Sequence, residues 1–104
     1  MIERLALPAW DTAPTPLSAW VERLQGQGLG VVVARESADV SWLEVNALRL
    51  RGYAVTVGLN VEAINFEITA DDPAPALRAL EAAAAALGWE LHEDDGEPED
   101  ESDD

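Results

Sequence analysis

The stretch SADVSWLEVNALRLR, residues 37–51, decides the fold, because it supports two incompatible readings. As a strand, residues 40–50 pair back on residues 31–35 across a turn at 36–39. The difficulty is phase. Side chains alternate along a strand, so Leu43 and Val45 point one way while Leu48 and Leu50 point the other. A bulge near Asn46 is needed to reconcile them. As a helix, Ser41-Trp42-Leu43-Glu44 makes a capping box, with Val40 and Val45 at the spacing of a hydrophobic staple. Leu43, Ala47 and Leu50 then line one stripe. Glu44 falls in the first turn and Arg49 and Arg51 in the last, each complementing the helix dipole. Gly52 stands where a terminating glycine belongs. These local signals agree with one another, so the sequence favours a helix over residues 41–51.

Downstream, residues 53–68, YAVTVGLNVEAINFEI, read as a hairpin turning at Gly58-Leu59-Asn60. Tyr53, Val55 and Val57 alternate in the first arm, and Ile64, Phe66 and Ile68 in the second. The expectation is that these six side chains share one buried face. The outward face would then be Ala54, Thr56, Asn65 and Glu67, small and weakly polar enough to pack on a second copy of the chain.

Upstream, residues 2–7 form a weakly alternating first strand ended by Pro8. A Pro-bounded linker, residues 9–15, contains Trp10. Thr15 reads as an N-cap with Pro16 at the first helical position. Leu17, Trp20, Val21 and Leu24 make the apolar stripe of that helix. Residues 29–34 (LGVVVA) are a continuous apolar run, the pattern of an interior strand covered on both faces. Beyond the hairpin, Asp72 and Pro73 open another helix, whose stripe is Leu77, Leu80, Ala84 and Leu87. Gly88 closes it, and residues 89–92 make a short last strand.

The order is β, α, β, then the contested segment, then β, β, α, β. It resembles a variant of the ferredoxin-like sandwich. The implied fold is α+β in two layers, with helices packed on one face of a four- to five-stranded, mostly antiparallel sheet. The expected organisation is one domain over residues 1–92 and an acidic, disordered tail over 93–104.

Composition bounds the partner. The chain has 104 residues, 48% of them hydrophobic, and no cysteine. That suffices for one core. It excludes disulfides, thiolate metal sites and thiol nucleophiles. No apolar run approaches the roughly 18–20 residues of a membrane span, and MIERLALP lacks the features of a signal peptide. The expected location is therefore cytoplasmic. Net charge is −15. Residues 93–104 carry nine acids and no base, leaving twelve acids against six arginines, with no lysine anywhere. Direct nucleic-acid binding needs clustered cations that this chain lacks, and an anionic membrane would repel it. A basic protein partner suits the charge.

No motif for a cofactor, metal or nucleophile stands out. Ser18, Ser37, Ser41 and Ser102 occupy no nucleophile elbow, and His92 is the only histidine. Among Glu36, Asp39, Glu44, Glu62 and Glu67, nothing selects a catalytic pair. A calcium loop centred on Gly96 would place Leu91 first and Ser102 last, where carboxylates are required. Gly26, Gly28 and Gly30 run from helix into strand, the wrong order for a phosphate loop.

Binding residues are better marked. Trp10, off any periodic face, either folds over the end of the core or stands out as an aromatic anchor. The acids Glu93, Asp94, Asp95, Glu97, Glu99, Asp100 and Glu101 would steer a basic partner. The expected function is a small, non-enzymatic interaction domain without cofactor, of the inhibitor, immunity-type or adaptor kind. Its partner would be a basic protein, with a homodimer as a second arrangement. The alternative is a ligand-binding regulatory module with a pocket between helices and sheet at Arg35, Arg49 or Arg51.

Overall fold

The computed structural model describes residues 2–93. Six strands and two helices alternate as β1 (Ile2–Pro8), α1 (Leu17–Gln25), β2 (Val32–Arg35), β3 (Val40–Val45), β4 (Leu50–Val57), β5 (Asn60–Ile68), α2 (Ala74–Leu87) and β6 (Trp89–Glu93). The strands form one open sheet in the order β2-β3-β4-β5-β1-β6. Every neighbouring pair is antiparallel. The α+β expectation holds, but the sheet has six strands where four or five were expected.

The sixth comes from the contested segment, which is a strand and not a helix. β3 pairs with β2 on one side and β4 on the other, from Val40↔Val55 to Val45↔Leu50. The phase conflict is resolved by reversing the chain. Asn46–Leu48 make a single 3-10 turn, and Arg49 takes the left-handed conformation at φ 50°, ψ 46°. The chain then re-enters the sheet at Leu50, opposite Val45, so Leu43, Val45 and Leu50 are buried together. Capping box, staple and dipole favoured the helix, but burying these three side chains in a hairpin outweighs them.

The 53–68 hairpin forms, with Gly58 (φ 63°) in its turn, but its first arm has the opposite phase to the one expected. Leu50, Gly52, Ala54 and Thr56 face the core, and Val55 and Val57 are 45% and 60% exposed. The second arm is as expected, with Ile64, Phe66 and Ile68 buried. Gly52 sits opposite Phe66 and Ala54 opposite Ile64. The large side chains of β5 fill the space on the core side, so β4 must offer small ones there.

The core joins Ala6, Leu43, Val45, Leu50, Val61, Ile64, Phe66 and Ile68 of the sheet to Trp20 and Leu24 of α1 and Ala76, Leu80, Ala83 and Ala84 of α2. The alanine face of α2 lets it come close, and α1 and α2 lie against each other. Trp20 is central, 5.4 Å from both Phe66 and Trp89 between ring centroids. α2 ends at Gly88 in the left-handed conformation, and Asp72 accepts a hydrogen bond from the Ala74 amide at its start.

Two further expectations are corrected. β2 is not an interior strand: it lies at the edge of the sheet with all four residues exposed. Thr15 does not cap α1, whose N-cap position is Pro16 with no side-chain bond. The Thr15 hydroxyl instead donates to the Ala13 carbonyl (3.1 Å) and accepts from Trp89 Nε1 (3.0 Å). It therefore ties the linker to β6, where a buried indole N–H needs a partner.

Candidate interaction surface

Alternation across six strands leaves a second face to the sheet, and none of its described residues is buried. Strand register arranges it in three rows. The first runs Val32, Glu44, Arg51, Glu67, Glu3 across β2, β3, β4, β5 and β1. The second runs Ala34, Trp42, Tyr53, Asn65, Leu5, His92 across all six strands. The third runs Val40, Val55, Ala63, with Leu7 and Glu90 paired beyond.

The β3–β4 ladder builds the centre of this face. Trp42 and Tyr53 are cross-strand partners whose rings stack at 6.1 Å and 26°. The Arg51 guanidinium lies 4.8 Å from the Trp42 ring centroid. Arg51 donates from Nε (3.0 Å) and Nη2 (2.7 Å) to Glu44 Oε2, and from Nη1 to the Tyr53 hydroxyl at 3.4 Å. Hydrogen bonds to Tyr53 and to Glu44 push the Arg51 pKa further above its ordinary value. By distance the Glu44 contact is the stronger. The arginine is thus held charged beside two aromatic side chains, a grouping of the residue types that dominate binding energy at interfaces. Around it the first row is acidic. Glu67 flanks Arg51 on the side away from Glu44, and Glu3 stands directly opposite Glu67. Two like charges face to face in a ladder are unfavourable unless a cation comes between them.

Of the residues marked in the sequence, Trp10 stands out into solvent at 96% exposure. It does not fold over the core. Glu93 is the last residue of β6, paired with Arg4, and not part of the tail. Asp94, Asp95, Glu97, Glu99, Asp100 and Glu101 lie outside the described residues. Arg49 and Arg51 both line an open cleft of about 410 Å³ with Glu44, Asn46, Leu50, Glu67 and Thr69. It lies at the end of the sheet around the β3–β4 turn, not between helices and sheet. Arg35 is not among its residues: it pairs with Ser41 at the opposite end of β3 and donates to the carbonyls of Ser37 and Ala38. A smaller groove of about 270 Å³ separates α1 from α2, lined by Glu22, Arg23, Gly26, Gln27 and three alanines of α2.

The Trp42–Tyr53–Arg51 grouping was missed as a surface because the sequence favours a helix at Trp42 and places Tyr53 on the buried face of the hairpin. A signal was present. Trp42 and Tyr53, and Glu44 and Arg51, stand at matching distances on either side of residues 46–49. An aromatic pair and an ion pair then face each other only if the segment is a hairpin.

Among the described residues no group of three or more His, Asp or Glu side chains could hold a metal ion, and no helix is long and apolar enough to cross a membrane. Comparison with protein-family models finds no match to this chain, and neither does comparison with curated proteins or with solved structures.

Proposed function

We propose that the chain is a non-enzymatic protein-interaction domain, cytoplasmic, acting as an inhibitor, immunity-type protein or adaptor, and that the open sheet face engages a basic protein. The observation that carries this reading is the Trp42–Tyr53–Arg51 grouping at the centre of an unburied sheet face. The partner's charge follows from the face itself: Glu3, Glu67 and Glu90 stand on it, Arg51 is engaged by Glu44, and among the described residues the Glu90 carboxylate pairs only with His92 (Nε2 to Oε1 3.3 Å), which carries charge only when protonated. Basic side chains placed between Glu3 and Glu67 would relieve their repulsion. A net charge of −15 would speed the encounter. A second copy of the chain fits the face less well, since it would bring the same acidic row against itself.

The fold is read here as an elaborated ferredoxin-like sandwich with both helices over one face. Taking β1, α1, β4, β5, α2 and β6 in turn gives the sheet order β6-β1-β5-β4, and β3 and β2 extend it at one edge.

The test uses the full chain and a Trp42→Ala, Tyr53→Ala variant as parallel baits in native lysate, each at low and high salt, followed by binding measurements on any purified basic protein retained. The expected result is a partner bound by the parent chain, lost with the variant and weakened by salt. Equal retention by both baits overturns the reading. A second reading, a ligand-binding module, is supported by the Arg49–Arg51 cleft. It predicts thermal stabilisation by a small anion that disappears in Arg49→Ala and persists in Arg35→Ala.

A further inference from the structure

The edges of an open sheet present unpaired backbone donors and acceptors, to which an extended segment can add. Among the described residues the two edges are β2 and β6, and they differ in character. β2 reads VVAR: its only charge is a cation, turned onto the carbonyls of the following loop. β6 reads WELHE and carries no arginine or lysine. Glu90 and His92 alternate to the open face, and Glu93 to the other, all three exposed.

The ends of β6 are also distinct. The Ala9 amide donates to the Gly88 carbonyl at 3.2 Å, and Thr12 Oγ1 donates to the same oxygen at 2.6 Å. The turn that carries the exposed Trp10 is thereby fixed against the residue preceding β6. At the other end the sequence continues from Glu93 into a segment whose every charged residue is an acid. The turn bearing Trp10 is therefore tied to one end of this edge, and the acids Glu90 and Glu93 lie along it, with His92 Nε2 3.3 Å from Glu90 Oε1.

From this we infer that the outer edge of β6 is a docking edge for an extended, basic segment of the protein partner, which adds to the sheet as a seventh strand. The inference rests on the interaction reading above and specifies its binding mode. Backbone pairing to β6 supplies affinity independent of the segment's sequence. Basic side chains on alternate positions of the added strand fall beside Glu90 on one face, and those of the other parity beside Glu93. Trp10 offers a ring over which a terminal lysine or arginine can lie. The edge of β2 has neither the acids nor the ring.

The test is an NMR titration of the full chain with a short peptide in which lysine alternates with valine. Controls are the same peptide with every backbone nitrogen methylated and one with glutamate in place of lysine. The expected result is slowed amide exchange and shifted resonances at residues 90–93, with the Trp10 indole resonance perturbed. The methylated peptide, which keeps its charge but cannot donate to the ladder, should bind about tenfold more weakly or worse. The glutamate peptide should not bind. Equal affinity for the methylated peptide overturns the inference. So does a footprint on the β2 edge or on the Trp42–Tyr53 face, although the interaction reading then survives. Failure of the basic peptide to bind anywhere on the chain counts against both.

Discussion

Gly52 on β4 lies directly opposite Phe66 on β5, and a Cβ built on Gly52 would come within 2.7 Å of Phe66 Cε1 and 3.1 Å of Ile64 Cγ2. The aromatic ring occupies the space a side chain would need. Gly52→Ala should therefore push the ring out of a close-packed site and destabilise the domain by about 1–3 kcal/mol. Urea denaturation measures this. Adding Phe66→Leu should recover part of the Gly52→Ala loss in a double-mutant cycle, because a smaller side chain frees the contact.

Arg49 is the only described non-glycine residue with positive φ. Left-handed backbone costs an ordinary residue about 1–2 kcal/mol, and glycine adopts it freely at some entropic cost in the unfolded chain. Arg49→Gly should leave stability unchanged or raise it by about 0.5–1 kcal/mol. In an exposed helix the same substitution would lower stability by about 1 kcal/mol. One melting curve thus separates the turn from the helix that the sequence favours.

The phase of β4 can be tested by charge. Val55 is part-exposed on the open face and Ala54 is buried in the core. Val55→Asp should change stability by no more than about 0.5–1 kcal/mol. Ala54→Asp should unfold most of the population, because an unpaired buried carboxylate costs several kcal/mol. Circular dichroism of the two variants gives the answer, and equal behaviour would mean that the faces are misassigned.

Trp89 donates to Thr15 across 74 residues of sequence, in a buried site. Thr15→Val keeps the shape and removes the acceptor, leaving the indole N–H unsatisfied at a cost of about 1–3 kcal/mol. In a Trp89→Phe background the donor is absent, and Thr15→Val should then cost markedly less. Denaturation of the four proteins of this cycle yields the coupling.

The sequence shows where β4 and β5 lie but not which way β4 faces, for a physical reason. In residues 50–57 both sets of alternating positions are coherent, Tyr53-Val55-Val57 as a large set and Gly52-Ala54-Thr56 as a small one. Periodicity says which residues share a face. The volume of Phe66 and Ile64 on the neighbouring strand decides which face is covered. The same limit applies to residues 41–51. Capping box, staple and dipole are local and all point to a helix, whereas the complementarity of Trp42 with Tyr53 and of Glu44 with Arg51 appears only once a pairing register is assumed. Segments whose contacts are local were read correctly: α2 ends at Gly88, and α1 buries Trp20 and Leu24. Trp10 was legible as a residue without a periodic role, and β6 as a strand. Their proximity was not, since it depends on hydrogen bonds from Ala9 and Thr12 to Gly88.

The position of β1 sets an order of events during synthesis. It lies between β5 and β6 in the sheet, so its residues wait for partners made much later: Ile2 for Ile68, and Pro8 for Trp89. On the ribosome, β2, β3, β4 and β5 can zip together as successive hairpins, each from neighbours in sequence. β1 has nowhere to pair until β5 emerges, and it remains an edge until β6 does. The sheet closes by capturing its own beginning, a step dominated by long-range contacts and hence expected to limit the folding rate.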